Sequence, residues 1–160
     1  MTGASKGFGR GWAEAALERG DRVAVTSRSG SAFDDLVEKY GNAVLPLRAD
    51  VADRTAAFEA VERAIDTFGA LDVVIDNAGY GLFGMTEEVT ERQARDQIDI
   101  NVFGALWVTQ AALPHLRARG SGHIIQVSSI GGVTSAVRAD RLPAYDDRRC
   151  GSSSARARSR

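Results

Sequence analysis

The stretch TGASKGFG, residues 2–9, decides the fold. Its glycines are Gly3, Gly7 and Gly9, and they come directly before a helical pattern that starts at Arg10. Because glycine has no Cβ, such a stretch lets the backbone turn tightly and approach a pyrophosphate closely. The helix that follows points N–H groups and the positive end of its dipole at the anion. The stretch predicts a phosphate-binding turn, although alone it fits a glycine-rich surface loop equally well.

Outward from this turn, short apolar runs of strand type alternate with amphipathic helical stretches as far as residue 128. The pattern predicts four strands, at residues 22–27, 43–47, 71–75 and 123–127. It also predicts four helices, which run over 10–19, from Ser29 or Ser31 to Tyr40, from an N-cap at Asp53 to Gly69, and over 90–118 after Thr90. Alternation of this kind is typical of a parallel sheet with helices on both faces.

The composition is ordinary for a globular protein, with 44% apolar and 26% charged residues. No apolar run approaches the roughly 18 residues needed to cross a bilayer, so no membrane span is expected. The N-terminal residues show no secretion signal, which predicts a cytoplasmic protein. One cysteine, Cys150, and two separate histidines, His115 and His123, predict no metal site.

Both ends depart from the regular pattern. A phosphate-binding turn normally follows a strand, yet Thr2 follows Met1 directly, so we expect the first strand of the sheet to be missing. From residue 136 onward the periodicity gives way to an Arg/Ser-rich tail, 136–160, which we expect to be disordered and which a frameshift near residue 135 would explain. The expected division is therefore a partial nucleotide-binding domain over 1–135 and this tail. Its seven Arg are mixed with three Asp, which predicts a solvated end that binds no nucleic acid.

Further motifs follow the glycine-rich turn in order. Asp50–Val51 and Asn77–Ala78–Gly79 each come after a predicted strand, Asn101 lies in the long helix, and Ser128–Ser129 follow the last strand. Together with the TGxxxGxG spacing, they resemble the short-chain dehydrogenase/reductase family over residues 2 to about 135. The resemblance implies a Rossmann-like, doubly wound parallel sheet that here also lacks its last strands. It further implies hydride transfer between a nicotinamide cofactor and a carbonyl or alcohol.

The resemblance places the cofactor at the carboxyl ends of the strands. It implies a cofactor-binding set made of Gly3, Ser5, Lys6, Gly7, Phe8, Gly9, Arg28, Asp50, Val51, Asn77, Ala78 and Gly79. An acidic residue at the end of the strand 22–27 would favour NAD(H), because it would bond the ribose hydroxyls and repel a 2′-phosphate. That position is Ser27, with Arg28 beside it and Lys6 as a second cation. The two cations predict NADP(H) in preference to NAD(H).

The resemblance also implies a catalytic set. In the family a serine orients the carbonyl, a tyrosine is the acid, a lysine lowers the pKa of that tyrosine, and an asparagine organises a proton-relay water. Ser129 and Asn101 match the serine and the asparagine. The family positions of the tyrosine and lysine fall on Leu142 and Asp146, which cannot perform these tasks. The nearest tyrosine, Tyr145, is therefore the candidate acid.

Four residues after Tyr145 stands Arg149, whose charge would lower the pKa of the tyrosine but whose guanidinium relays a proton poorly.

Three functions stay open: an NADP(H)-dependent oxidoreductase, a catalytically inactive NADP(H)-binding or partner-binding module, and a fragment without function. The resemblance further implies self-association through the helix at 90–118. Nothing in the sequence identifies the substrate.

Overall fold

A computed structural model describes residues 1–129, and their fold is a layered α/β structure. The strands are β1 (Val23–Ser27), β2 (Val44–Arg48), β3 (Val73–Asp76) and β4 (His123–Gln126). The α-helices are α1 (Gly7–Glu18), α2 (Asp34–Tyr40), α3 (Arg54–Phe68), α4 (Glu91–Ile98) and α5 (Ala105–Arg119). The predicted domain boundary at residue 135, the tail 136–160 and Tyr145 all lie outside the described residues.

The strands form two separate parallel pairs, with β1 beside β2 and β3 beside β4. Residues 1–4 hydrogen-bond to both pairs. Thr26 N donates to Met1 O (3.0 Å), and Thr2 N donates to Ile75 O (2.9 Å). A cavity of ≈ 50 Å³, lined mainly by apolar side chains, remains beside Met1. The predicted Rossmann-like parallel sheet is confirmed, and among the described residues it is incomplete at its centre.

Each strand pair has its own apolar core. One core packs α1 and α2 on β1 and β2, and its buried residues are Ala4, Ala13, Leu17, Val23, Val25, Phe33, Leu36 and Val44. In the other core, α5 packs on β3, and α3 packs on α5 and β2. The buried residues of this core are Val51, Ala57, Val61, Val74, Val108, Ala111, Ala112 and Leu116. The cores bring the carboxyl ends of all four strands to one edge, where the predicted site residues stand.

The caps of α3 and α4 agree with the sequence. The Asp53 carboxylate accepts from the backbone N–H groups of Thr55 and Ala56, so it caps α3 as predicted. Gly69 ends α3 at a φ of 78°, a left-handed conformation that glycine adopts at little cost. Thr90 caps α4 by accepting from Gln93 N. No helix within residues 1–129 is both long and apolar enough to span a bilayer.

Three predictions about the helices were wrong, two about where a helix starts and one about the regularity of the long helix. The first helix begins at Gly7, not Arg10, because its N-cap is Lys6 within the glycine-rich turn. Neither Ser29 nor Ser31 caps α2, since a 3-10 turn at Gly30–Phe33 precedes it and the two serine hydroxyls lie 3.4 Å from each other.

The helix predicted at 90–118 is continuous but not regular, because a π-helical segment at Asp99–Gly104 separates α4 from α5. A stripe of apolar residues at helical spacing cannot reveal such an insertion. The segment brings Gly104 onto Val51, where an added Cβ would lie 2.8 Å from the Val51 Cγ2.

Candidate functional site

The glycine-rich turn packs directly on the end of β3. A Cβ added to Gly3 would lie 2.8 Å from the Ala78 Cα, and one added to Gly9 would lie 2.4 Å from the Asn77 Nδ2. The Asn77 amide in turn donates to the carbonyl oxygens of Thr2 (3.1 Å) and Gly3 (3.0 Å). Close backbone approach therefore explains why glycine is needed at 3 and 9. The predicted residues Gly3, Gly9, Asn77 and Ala78 form one unit, which we call the phosphate cradle.

Thr2 fixes the position of the cradle through its side chain. Its side chain is buried, and its Oγ1 accepts from the backbone N–H groups of Asn77 (2.9 Å) and Ala78 (3.0 Å). Ala4 N donates to Thr26 O, which ties the same turn to β1. The sequence reasoning missed Thr2 as a site residue, although its place directly before Gly3 was a signal that could have identified it.

Gly7 occupies the open side of the turn. Its φ is +61°, and an added Cβ would meet no atom within 4 Å. Ser5, Lys6 and Phe8 around it are exposed. The open space lies at the N-terminus of α1, where a phosphate can approach the backbone.

The N-terminus of α1 differs from those of α3 and α4. Its N-cap residue, Lys6, makes no capping hydrogen bond with its side chain, whereas Asp53 and Thr90 cap the other two helices. The first N–H groups of a helix need an acceptor, and the dipole favours an anion there. The cradle thus presents donors to a ligand phosphate, and the residues present fit the pyrophosphate of a dinucleotide.

The carboxyl ends of β1 and β2 form the expected adenine side. Ser27 is buried, and its Oγ donates to Ser29 O, while Arg28 beside it is exposed. Arg28 takes part in no ion pair within residues 1–129. Asp50 begins the turn after β2, and its Oδ1 accepts from Ala52 N at 3.1 Å. Within residues 1–129, β1 thus ends at Ser27 and is followed by Arg28, without an acidic residue at either position.

Asn101 lies in the π-helical segment and binds the loop after the cradle. Its Oδ1 accepts from Tyr80 N (3.0 Å), and its Nδ2 donates to Tyr80 O (2.8 Å). A Cβ added to Gly79 would lie 3.2 Å from this Oδ1. Asn101 thus reaches the backbone next to Gly79, and its side-chain amide is engaged by that backbone.

Ser128 and Ser129 follow β4 at the same edge as Asn77, because β3 and β4 are parallel with Asp76 opposite Gln126. Asp76 is 5% exposed, and its Oδ2 accepts from Gln126 Nε2 (2.7 Å) and Thr109 Oγ1 (3.2 Å). Burial raises the pKa of this carboxyl to about 6, although the two hydrogen bonds oppose the rise. The sequence reasoning missed this polar cluster.

The structure brings the cradle residues into contact and reaches Gly79 from Asn101. It places Ser129 at the edge where β3 and β4 end, and Arg28 and Asp50 at the edge where β1 and β2 end. Val51 is 8% exposed and belongs to the apolar core, where it contacts Gly104. Gly104 was also missed, since a glycine within a helical pattern does not show what packs on it. Residues 1–129 hold no group of three or more His, Cys, Asp or Glu placed to bind a metal ion.

Comparison with known proteins agrees with this geometry. The model of the family described as short chain dehydrogenase matches residues 1–145, ten residues beyond the expected end of the resemblance. The chain is 41% identical over 146 residues to the oxidoreductase BOA17 of Botryotinia fuckeliana (strain B05.10), covering 91% of this chain and 52% of the relative. It spans about half the length of the curated relatives it matches.

Two solved structures show the same fold. ElxO with NADP bound has a TM-score of 0.78 at 28% identity, over 84% of this chain and 56% of that one. The 3-ketoacyl-(acyl-carrier-protein) reductase from Brucella melitensis, complexed with NADH, has a TM-score of 0.76 at 30% identity, over 81% and 56%. The cradle, the order of the motifs and these matches show that the chain belongs to the short-chain dehydrogenase family of oxidoreductases.

Proposed function

We propose that the protein is an oxidoreductase that binds NADP(H) in preference to NAD(H) and acts on a carbonyl or alcohol. The observation that carries the proposal is the phosphate cradle, in which Gly3 and Gly9 pack on Asn77 and Ala78 beside an uncapped helix N-terminus. Such a cradle suits a pyrophosphate, which can approach the backbone on the open side of the turn at Gly7.

In this proposal each predicted residue has one task. The backbone from Ser5 to Gly9 binds the pyrophosphate, Asp50 and Val51 border the adenine, and Asn77–Gly79 border the nicotinamide. Ser129 orients the substrate oxygen, and Asn101 organises the proton relay. The cofactor supplies or accepts the hydride. Members of the family with NADP and with NADH both resemble this chain, so the preference rests on its own residues.

Preference for NADP(H) is supported by the charges at the end of β1. Ser27 offers no carboxylate that would repel a 2′-phosphate, and exposed Arg28 is available for a bidentate contact. We expect Arg28→Gln to weaken NADPH binding about tenfold or more and to change NADH binding less than about twofold. Arg63→Gln, at an exposed position on α3, is the matched control. Equal losses for both cofactors would contradict the assigned role of Arg28.

Trp12 provides the readout for binding. Its ring stacks on Phe8 with centroids 5.7 Å apart, and Phe8 is 79% exposed beside the open turn at Gly7. With Trp107→Phe, Trp12 is the single tryptophan, because the chain has two. We expect its fluorescence to change on titration with NADPH and to saturate. A flat titration by fluorescence and by calorimetry would overturn the proposal.

Turnover distinguishes the proposed enzyme from a catalytically inactive NADP(H)-binding module. The second function is favoured by the sequence, in which Leu142 and Asp146 stand at the family positions of the tyrosine and lysine. We expect an enzyme to oxidise NADPH only when a carbonyl substrate is added, and to lose that activity with Tyr145→Phe. Saturable binding with no turnover over a panel of aldehydes and ketones would assign the inactive module. A chain with no cooperative unfolding transition would be the fragment without function.

Self-association through the segment 91–119 is part of the proposal. Four of its apolar side chains are between 38% and 51% exposed, namely Ile98, Val102, Phe103 and Leu106. Exposed apolar side chains on one helical segment favour burial against a second copy. We expect Val102→Asp to lower the mass measured by sedimentation, and Asn42→Asp, at an exposed position outside this segment, to leave it unchanged. Location in the cytoplasm stays a prediction, which imaging of the tagged protein would test.

A further inference from the structure

Asp76 is a buried carboxyl group that the proposed chemistry does not use. Its Oδ2 accepts from Gln126 on β4 and from Thr109 on α5, and the Gln126 amide also donates to the Thr109 Oγ1 at 2.9 Å. Its Oδ1 is buried and has no hydrogen-bond partner within residues 1–129. Buried polar atoms normally have partners, so this oxygen needs a functional or structural reason.

Asp76 also holds β4 through its backbone, because its carbonyl oxygen accepts from Val127 N at 2.9 Å. The next residues along β4 are Ser128 and Ser129, and the next along β3 are Asn77–Gly79. Asp76 is therefore the residue that joins the two strand ends of the candidate site by both its backbone and its side chain.

The charged surroundings of Asp76 are sparse. β4 and α5 present the neutral groups of Gln126 and Thr109 to it. Among residues 1–129, the charge that acts on it is the buried ammonium group of Met1, which donates to Ala24 O. Burial lowers the pKa of this ammonium group to about 6. Burial likewise brings the pKa of Asp76 to about 6, so the two groups titrate in the same pH range.

We propose that Asp76 is a positioning residue whose ionised carboxylate holds Gln126 and Thr109 and thereby aligns Ser128–Ser129 with Asn77–Gly79. A neutral carboxyl accepts these hydrogen bonds more weakly, so protonation loosens the end of β4. The inference rests on the proposed function only in treating Ser129 as a site residue. A single buried side chain would thus set the relative positions of Ser128–Ser129 and Asn77–Gly79.

The test follows the backbone amide signals of Ser128 and Ser129 by NMR between pH 4.5 and 8, on the full chain without cofactor. We expect a sigmoidal displacement with a midpoint at about 6. Asp76→Asn should abolish the displacement. Gln126→Met should raise its midpoint by about half a pH unit or more, because the lost hydrogen bond favoured the ionised form. Gln110→Met, at an exposed position on α5, should leave the midpoint unchanged.

A displacement that persists in Asp76→Asn would assign the titration to the Met1 ammonium group and overturn the inference. An unchanged midpoint in Gln126→Met would overturn it as well, and this variant decides the matter if Asp76→Asn does not fold. The titration needs no cofactor, so its outcome is independent of NADPH binding. A chain that shows the displacement but binds no NADPH would retain the positioning role and lose the proposed function.

Discussion

The two strand pairs have the same parallel geometry and are held together differently. In β1, four of five residues are buried, whereas in β4 none of the four is. β1 lies in an apolar core that includes Phe33 at 1% and Val25 at 0% exposure. β4 leaves Ile125 47% exposed, and it is tied to β3 and α5 by the hydrogen bonds of Gln126.

The difference shows that different kinds of contact stabilise the two sides of the sheet. Apolar burial stabilises the side of the sheet where β1 and β2 end, and backbone hydrogen bonds join these two strands. An apolar core also packs on β3, but two side-chain hydrogen bonds link Gln126 on β4 and Thr109 on α5 to Asp76. The strength of these two bonds depends on the charge of Asp76. The free energy of local unfolding should therefore be high near β1, and near β4 it should depend on the charge of Asp76.

The largest expected change in the free energy of unfolding is at Phe33, and it tests the difference in burial between the two strand pairs. We expect Phe33→Ala to lower the free energy of unfolding by about 3 to 5 kcal/mol, because it leaves a cavity in a packed core. Ile125→Ala should cost less than about 1 kcal/mol, since the side chain is half exposed. Urea unfolding followed by circular dichroism measures both. Equal losses would show that the two pairs do not differ in burial as described.

Asp76 gives the next largest effect, through the pH dependence of stability. Its folded pKa of about 6 lies above the ordinary value of 3.8, so the folded state binds more protons between these pH values. The free energy of unfolding should fall by at most about 3 kcal/mol as the pH rises from 4 to 7. Asp76→Asn should remove this fall, measured as thermal unfolding against pH.

The Met1 ammonium group contributes the opposite slope in a higher range. Its folded pKa of about 6 lies below its ordinary value of 8.0, so the unfolded state binds more protons between these values. Stability should rise from pH 6 to 8, and acetylation of the amine should remove the rise. A profile that rises throughout in the acetylated chain would contradict the account of Asp76.

Thr2 tests the junction between the two pairs. Thr2→Val removes the oxygen that accepts from Asn77 N and Ala78 N, and two partly buried N–H groups lose their partner. We expect a loss of about 2 kcal/mol in the free energy of unfolding. Thr67→Val, exposed near the end of α3, should change it by less than about 0.5 kcal/mol. Losses of the same size at both positions would show that the buried hydroxyl is not the cause.

The smallest effect is expected at Asn101. Asn101→Ala removes two hydrogen bonds to the Tyr80 backbone, but the side chain is exposed and water can replace it. The free energy of unfolding should fall by about 1 kcal/mol or less. If the chain turns over substrate, its activity should fall far more than its stability. The control Asn42→Ala, also exposed, should affect neither.

Much of the fold follows from local sequence. The strands lie within two residues of their expected limits, and Asp53, Gly69 and Thr90 act as the caps their chemistry predicts. The spacing TGxxxGxG identified the cradle glycines, Gly3 and Gly9, and the structure has no room for a Cβ at either position.

The rest depends on contacts between distant residues. The hydroxyl of Thr2 bonds to Asn77, which is 75 residues away, and Asp76 bonds to Gln126 across 50 residues. The π-helical segment before α5 places Gly104 against Val51, which precedes α3. No local pattern contains these pairings, so they emerge only when the elements are assembled.

The central claim is that the cradle of Gly3, Gly9, Asn77 and Ala78 binds a nicotinamide dinucleotide. Calorimetric titration of the wild-type chain, Gly9→Ala and Gly11→Ala with NADPH tests it most directly. A Cβ at Gly9 would lie 2.4 Å from the Asn77 Nδ2, whereas one at Gly11, in the same helix, would meet nothing within 4 Å. The account predicts saturable binding by the wild type and Gly11→Ala, and a loss of about a hundredfold or more in Gly9→Ala. Equal affinity in all three chains, or no binding by the wild type, would contradict it.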